Sequence, residues 1–164
     1  MLYLNSWRFV DSLSFLQNSL ENLTFCLRDS GHDFAPLFDQ SGLYTAETRS
    51  ERFPLLLRKQ HFPYAWACSY EQLRDAGELP DRASFFNELS GGTDISPEDH
   101  DFARNVFATF GCTSVLQYCE LYCETDVLLL ASALISFRET CLETFSLDIN
   151  YYVSLPAYAF SGEQ

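Results

Sequence analysis

The chain has little positive charge. Its 164 residues include 10 lysines and arginines against 23 aspartates and glutamates, which gives a formal net charge of -13 at pH 7. Affinity for nucleic-acid phosphates comes from clustered lysine and arginine side chains, so this balance argues against a free-standing nucleic-acid-binding protein. That class stays open because four basic residues fall within one short stretch, and because metal-dependent phosphodiester cleavage requires carboxylates. The four are Arg49, Arg52, Arg58 and Lys59.

The chain also lacks any C-x-x-C pair and any secretory leader. We therefore expect its cysteines to be reduced thiols rather than disulfides. Cys119 and Cys123 would share one face of a helix, which could begin a metal site, but no cysteine or histidine pair at zinc-finger spacing follows them. Small buried apolar side chains are the expected role, and a zinc-held small domain is an alternative that needs bound metal. The six are Cys26, Cys68, Cys112, Cys119, Cys123 and Cys141.

Long apolar runs are missing as well. The run from Val127 to Phe137 is about half the length that spanning a bilayer needs, so we expect neither a transmembrane segment nor a membrane partner. Apolar residues nevertheless make up 47% of the chain, including 15 Phe and 9 Tyr. That content is enough for one ordinary hydrophobic core.

Local patterns in the first half predict few regular elements. Residues Trp7 to Val10 suit a short strand, which would have no partner strand in this chain. Apolar positions spaced three to four residues apart after Ser19 predict a short helix that stops at Gly31. From about residue 34 to 80, scattered Pro and Gly predict a long irregular segment, with one short helix from Ser69 to Ala76.

The second half predicts longer helices. A helical stretch over residues 81–89 is followed by a Gly pair, and Ser96 then caps a helix from Pro97 to Phe110. Beyond Gly111, apolar positions run from Val115 through Phe145 with no Gly or Pro, which predicts one long helix. The aromatic tail from residue 150 to 164 has no evident packing partner.

Tyr122 and Asp126 are the best candidates for chemistry. They lie four residues apart on the long predicted helix and so project from the same face. In two-metal phosphodiester cleavage, carboxylates hold the cations and a nearby phenol can orient the attacking water. The same spacing also occurs in helices whose Asp simply faces solvent, so the pair alone is a weak signal.

The surrounding residues resemble a known family. The run Tyr122-Cys-Glu-Thr-Asp126-Val-Leu-Leu-Leu130 is followed by Phe137-Arg138 and by Tyr-Tyr-Val-Ser-Leu-Pro over residues 151–156. This is similar to the protein-primed family B DNA polymerases of Maverick (Polinton) transposons, organelles and related viruses. Their third exonuclease motif reads Tyr-x-x-x-Asp-Val-Leu-Leu-Leu-Ala, followed by Phe-Arg and then Tyr-Tyr-x-Ser-Pro. Leu155, which separates the Ser from the Pro, is a small departure.

Two further motifs extend the resemblance upstream. Ser12-Leu13 looks like the (Ser/Thr)-Leu-x-x-hydrophobic motif, which in the family contacts single-stranded DNA and the primer protein. The alternative is that Ser12 only caps the helix that follows. Lys59-Gln-His-Phe62 looks like the family's Lys-x-x-hydrophobic motif, so Lys59 would stabilise the scissile phosphate. The alternative is a solvated loop lysine.

The resemblance implies a fold, a function and partners. The fold class would be α/β, mainly helical as it stands: an incomplete ribonuclease-H-like 3′ to 5′ exonuclease domain over residues 1–149, with residues 150–164 beginning the connection to a polymerase domain. In the parent, Asp126 would bind Mg2+ or Mn2+ and Tyr122 would orient the water. Partners would be the single-stranded 3′ end of DNA, deoxynucleotides and a terminal primer protein. The expected location is inside the cell, in the nucleus or at a viral replication site.

Several family motifs are absent from the 164 residues. They are the Asp-x-Glu pair, the Asn-x-x-x-Tyr-Asp segment and the Asp-Thr-Asp palm site. We therefore expect the chain to be a fragment of a DNA-directed DNA polymerase that is inactive alone, binds no metal tightly and associates with itself. The alternative is a non-catalytic helical interaction module domesticated from a transposon, which the acidic charge also suits.

Overall fold

A computed structural model describes residues 2–5, 7–86 and 95–161, and the described chain is mainly helical. The contacts divide the chain into two compact units: residues 1–33 with 129–164, and residues 34–128. The long helix α6, Val115–Phe145, contributes residues to both units. Each unit is described by itself.

The first unit opens with a small antiparallel sheet. Strand β1 (Leu2–Leu4) pairs with β2 (Trp7–Phe9), with Leu2 opposite Phe9. The strand expected near Trp7 is thus confirmed, but the expectation that it would be unpaired was wrong, because the residues just before it supply the partner. A 3-10 helix, Ser12–Ser14, follows the sheet.

Helices complete the first unit. Helix α1 (Leu20–Asp29) begins at Ser19, whose hydroxyl accepts a hydrogen bond from the Asn22 backbone. After α6 ends at Phe145, a 3-10 helix (Ile149–Tyr151) leads into α7 (Leu155–Ser161).

A hydrophobic core joins the two ends of the chain within this unit. Its buried members come from the segment before α1, from the later turns of α6 and from the C-terminal helices: Phe15, Leu16, Ala133, Cys141, Ile149 and Tyr158. The expectation that the aromatic tail has no packing partner was wrong, since Tyr158 is buried and its phenol donates to the Cys141 carbonyl. The predicted boundary at residue 149 remains a prediction.

The described residues of the second unit form four shorter α-helices and the beginning of α6. Helices α2 (Ala35–Phe38) and α3 (Arg49–Leu56) interrupt the segment that was predicted to be irregular. Helix α4 (Tyr70–Asp75) confirms the short helix expected near Ser69. The helical stretch expected over residues 81–89 is a 3-10 helix at Arg82–Phe85, and residues 87–89 lie outside the described residues.

The predicted helix ends in this unit are accurate. Helix α5 (Pro97–Thr109) begins after Ser96, which accepts a hydrogen bond of 3.0 Å from the Asp99 backbone. Gly111 has a φ of 66°, a left-handed conformation that suits glycine after a helix. Ser114 then caps α6. The core beneath these helices includes Phe38, Leu56, Phe85, Val106, Val115 and Tyr118.

None of the helices in the described part of the chain is long and apolar enough to cross a bilayer.

Candidate functional site

Tyr122 and Asp126 lie in the second unit, on the first half of α6. Tyr122 is buried, with 8% of its surface exposed, and Asp126, one turn later, is half-buried. Between them Thr125 is fully buried and its hydroxyl donates to the Leu121 carbonyl at 2.8 Å. The face that carries the predicted pair is therefore turned toward the protein rather than toward solvent.

Aromatic rings from the segment after α3 surround Tyr122. The Phe62 ring stacks on it with 5.4 Å between centroids, and the Tyr64 ring stands edge-on at 6.1 Å. The phenols of Tyr64 and Tyr122 are hydrogen-bonded to each other. Burial raises the pKa of the Tyr122 phenol, and its contacts with Tyr64 and Asp126 raise it further. Tyr122 is consequently a neutral phenol, able to donate or accept a hydrogen bond.

Asp126 has an unusual environment for a carboxylate. Burial raises its pKa above the ordinary value of 3.8, while hydrogen bonding from Tyr122 and the positive charge of Lys59 oppose that rise. Its Oδ1 atom is buried and has no hydrogen-bond partner. A buried acceptor without a partner is costly, and a donor or a cation at that oxygen would remove the cost.

Lys59 reaches the same site although it is 67 positions earlier in the chain. The two motifs meet where the Phe62 ring of the Lys59 motif stacks on Tyr122, and the charge of Lys59 acts on Asp126. Lys59 is half-buried, and both its catalytic role and the alternative of a solvated loop lysine stay predictions.

Hydrogen bonds hold the segment that carries Lys59 in place. The buried Gln60 amide donates to the Leu55 carbonyl at 2.8 Å. The fully buried Tyr118 donates from its phenol to the His61 carbonyl at 2.7 Å. The Gln60 contact holds the chain after α3 against the end of that helix, and the Tyr118 contact holds it against the first turn of α6. Together they position the segment that carries Lys59 and Phe62.

The basic neighbours of Lys59 are already paired. Arg49 contacts Asp39 at 3.1 Å, and Arg58 forms an ion pair with Asp99. Arg52 lies over the Phe110 ring, 4.9 Å from its centroid. Ion pairs therefore offset the charges of Arg49 and Arg58, while Arg52 and Lys59 keep positive charge beside them.

The site offers one clear ligand to a metal ion. Asp126, with its unpartnered Oδ1, suits a ligand of Mg2+ or Mn2+. Among residues 2–5, 7–86 and 95–161, however, no three His, Cys, Asp or Glu side chains are grouped so as to hold a metal ion. The donors present do not fit a two-metal site, so we derive no reaction step through a metal.

Ser12 and Leu13 belong to the first unit. Leu13 is exposed, and Ser12 lines a cavity of about 310 Å3 together with Val10, Asp11, Phe15, Leu134, Ile149, Asn150 and Tyr152. The capping side chain of the 3-10 helix is Asp11, which accepts from the Leu13 backbone at 2.9 Å. The interpretation of Ser12 as the cap is therefore wrong, and its hydroxyl borders the cavity.

The histidines and cysteines differ in how well they were predicted. His100 is packed edge-on to Phe85, with its Nε2 3.2 Å from the Pro80 carbonyl. His61 lies 3.6 Å from Asp99, a partner that no sequence spacing indicated. All six cysteines are free. Cys123 is exposed and Cys119 is half-buried, so the expectation that this pair would be small buried side chains was wrong for Cys123 and holds only in part for Cys119.

Sequence reasoning gave no role to Tyr64, Tyr118 or Gln60. Tyr64 and Tyr118 support the site through contacts between residues 58 and 57 positions apart in sequence, whereas Gln60 holds its own segment against the nearby Leu55 carbonyl. The sequence does have many aromatic residues from 62 to 70, which indicates aromatic packing but does not identify the rings that are in contact.

Comparison of the chain with models of protein families, with curated proteins and with solved structures found no match. The site's chemistry therefore has to be argued from its own geometry.

Proposed function

We propose that this chain is part of a DNA-directed DNA polymerase of the protein-primed B family, from the later half of a ribonuclease-H-like 3′ to 5′ exonuclease domain. The observation that carries the proposal is the contact between the two motifs: the Phe62 ring of the Lys59 motif stacks on Tyr122 with 5.4 Å between centroids, and the charge of Lys59 acts on Asp126. The two motifs were identified separately, 67 positions apart, and a proofreading site requires them in one place.

The proposed roles follow from the geometry of each side chain. Lys59 would neutralise charge on a scissile phosphate as it develops in the transition state. Tyr122, a neutral phenol held by Tyr64, would orient the attacking water by hydrogen bonding. Asp126 would be one ligand of the Mg2+ or Mn2+ that activates the water in the complete parent enzyme. Ser12 and Leu13 would contact the single strand and the primer protein.

The test is to read the transcript that encodes this chain beyond both ends. We expect an open frame that continues upstream into an Asp-x-Glu strand and downstream into an Asp-Thr-Asp motif. A mature transcript whose frame starts at Met1 and stops after Gln164 would overturn the proposal.

A non-catalytic interaction module is the second candidate. The observation in its favour is that Arg49 and Arg58 are paired with carboxylates in a chain of net charge -13, which leaves little basic surface for DNA. Fluorescence anisotropy with a single-stranded oligonucleotide at low salt separates the two candidates. The polymerase origin predicts weak binding that Lys59→Ala reduces, whereas a module unrelated to DNA predicts no dependence on Lys59.

A further inference from the structure

Cys119 and Cys123 form a pair of thiols one turn apart on α6. Cys119 is half-buried, Cys123 is exposed, and both are free. A separation of four residues places the two thiols on the same face of the helix. No role in the proposed exonuclease site uses either of them.

The helix keeps this pair from closing a disulfide. Side chains four residues apart on a helix have Cβ atoms roughly 5–6 Å apart, whereas a disulfide needs roughly 3.5–4.5 Å. A bond between the sulfurs would require the helix to unwind in the turn that also carries Tyr122. A single ion between the sulfurs replaces one S–S bond by two sulfur–metal bonds, and the longer bridge suits the wider separation.

We propose that Cys119 and Cys123 form a two-coordinate site for a soft monovalent cation, with Cu+ as its biological representative. Thiolates are soft ligands that select Cu+ over harder cations. Structural zinc normally takes four ligands, and the described residues contain no group of three donors that could hold a metal ion. The pair therefore suits a metal ion that is stable with only two ligands.

The electrostatic surroundings favour a cation. Glu120 and Glu124 are both exposed on the same turns of α6, and the chain carries a net charge of -13. A negative surface raises the local concentration of cations and their rate of association.

Binding is a ligand exchange without oxidation. Two S–H bonds break, two Cu–S bonds form, two protons pass to the buffer, and copper remains in the +1 state. The site does not rest on the proposed polymerase origin, because it uses neither Lys59, Tyr122 nor Asp126.

The test is a titration of the reduced full chain without oxygen, with Cu+ buffered by bathocuproine disulfonate, whose copper complex absorbs visible light. We expect one tightly held Cu+ per chain. Cys119→Ser and Cys123→Ser should each weaken the affinity at least about 100-fold, which exceeds the usual cost of losing an outer-shell partner. The matched controls Cys26→Ser and Cys68→Ser, at exposed cysteines on other elements, should retain the wild-type affinity.

A second measurement on the unmodified chain does not depend on how the variants fold. One equivalent of Cu+ should protect Cys119 and Cys123 from alkylation by iodoacetamide, as located by peptide mass spectrometry, while Cys26 and Cys68 react. Protection of other cysteines, equal reactivity of all exposed ones, or wild-type Cu+ affinity in Cys119→Ser would overturn the proposal.

Discussion

Asp126 is the residue at which stability and proposed function conflict most directly. Burial raises the pKa of its carboxyl, and its Oδ1 has no hydrogen-bond partner. An ionised carboxylate in such a place destabilises the chain that holds it, because its lost hydration is only partly replaced. Active sites commonly hold charged groups in this way.

The first prediction concerns Asp126→Asn. The folded-state pKa of Asp126 lies above the unfolded value near 3.8, so the folded chain binds more protons between the two values and its stability falls as pH rises through that window. Removing the charge should raise Tm at pH 7 by roughly a few degrees, and the difference should shrink as pH falls to about 4. Thermal unfolding of both proteins at several pH values measures this difference in Tm.

Asp101→Asn, at an exposed position of α5, is the matched control and should leave Tm nearly unchanged. A lower Tm for Asp126→Asn than for the wild type at pH 7 would contradict the prediction.

The second prediction concerns the two phenols. The hydrogen bond between Tyr64 and Tyr122 is a local coupling, so Tyr64→Phe and Tyr122→Phe should not be additive. We expect a coupling free energy of about 0.5–1.5 kcal/mol, the usual net contribution of such a bond. Urea unfolding of the two single variants and the double variant gives this value. The pair of Tyr70→Phe, at an exposed tyrosine on α4, with Tyr122→Phe should be additive, and additivity for Tyr64 as well would refute the coupling.

At the scale of elements, the sequence was most informative where helix ends use short-range chemistry. Ser19, Ser69 and Ser96 each accept a backbone hydrogen bond from three residues later. That capping signal predicted the helix after Ser96, whereas the helix after Ser19 was predicted from its apolar spacing. Helix α3 was missed because Pro54 lies within it, and proline normally argues against a helix interior. Its formation depends on Phe53, whose ring packs against Phe38 and Tyr44, contacts that no local pattern specifies.

The candidate site likewise has features that the sequence predicts and features that depend on tertiary contacts. The spacing of Tyr122 and Asp126 on one helix follows from helix geometry and was predictable. The approach of Lys59 was anticipated only through the resemblance of its motif. The Tyr64 contact requires the path of the chain between α3 and α6, which depends on buried groups such as Gln60 and Tyr118.

The third prediction concerns the turn that follows α6. Arg138 binds both carboxylate oxygens of Asp148, at 2.9 and 2.5 Å, and holds the pKa of that carboxyl at about 2. Because the folded-state pKa lies below the ordinary 3.8, the contribution to stability is present above about pH 4 and is lost as pH falls toward 2. Arg138→Met should lower Tm at pH 7 and flatten the acid-induced loss of stability. Arg104→Met, at an exposed position of α5, is the matched control and should change neither. An unchanged acid profile for Arg138→Met would contradict the stabilising role of the Arg138–Asp148 pair.

At the scale of the whole molecule, the acidic surplus and the paired arginines limit what the 164 residues do alone. A free chain of net charge -13 repels DNA at long range, and ion pairs neutralise Arg49 and Arg58. The proposed site would consequently depend on other parts of a polymerase to deliver the strand and to complete the metal ligands.

The fourth prediction follows from that dependence. The isolated chain should not degrade a single-stranded oligonucleotide from its 3′ end in Mg2+ or Mn2+, because the Asp126 carboxylate alone cannot hold two cations against water. A denaturing gel of a 5′-labelled oligonucleotide measures this. Any trace of degradation is compared with that of Asp126→Ala, purified in the same way. Equal traces identify a contaminant, whereas degradation that Asp126→Ala abolishes would show that the chain completes its own metal site and would refute the prediction.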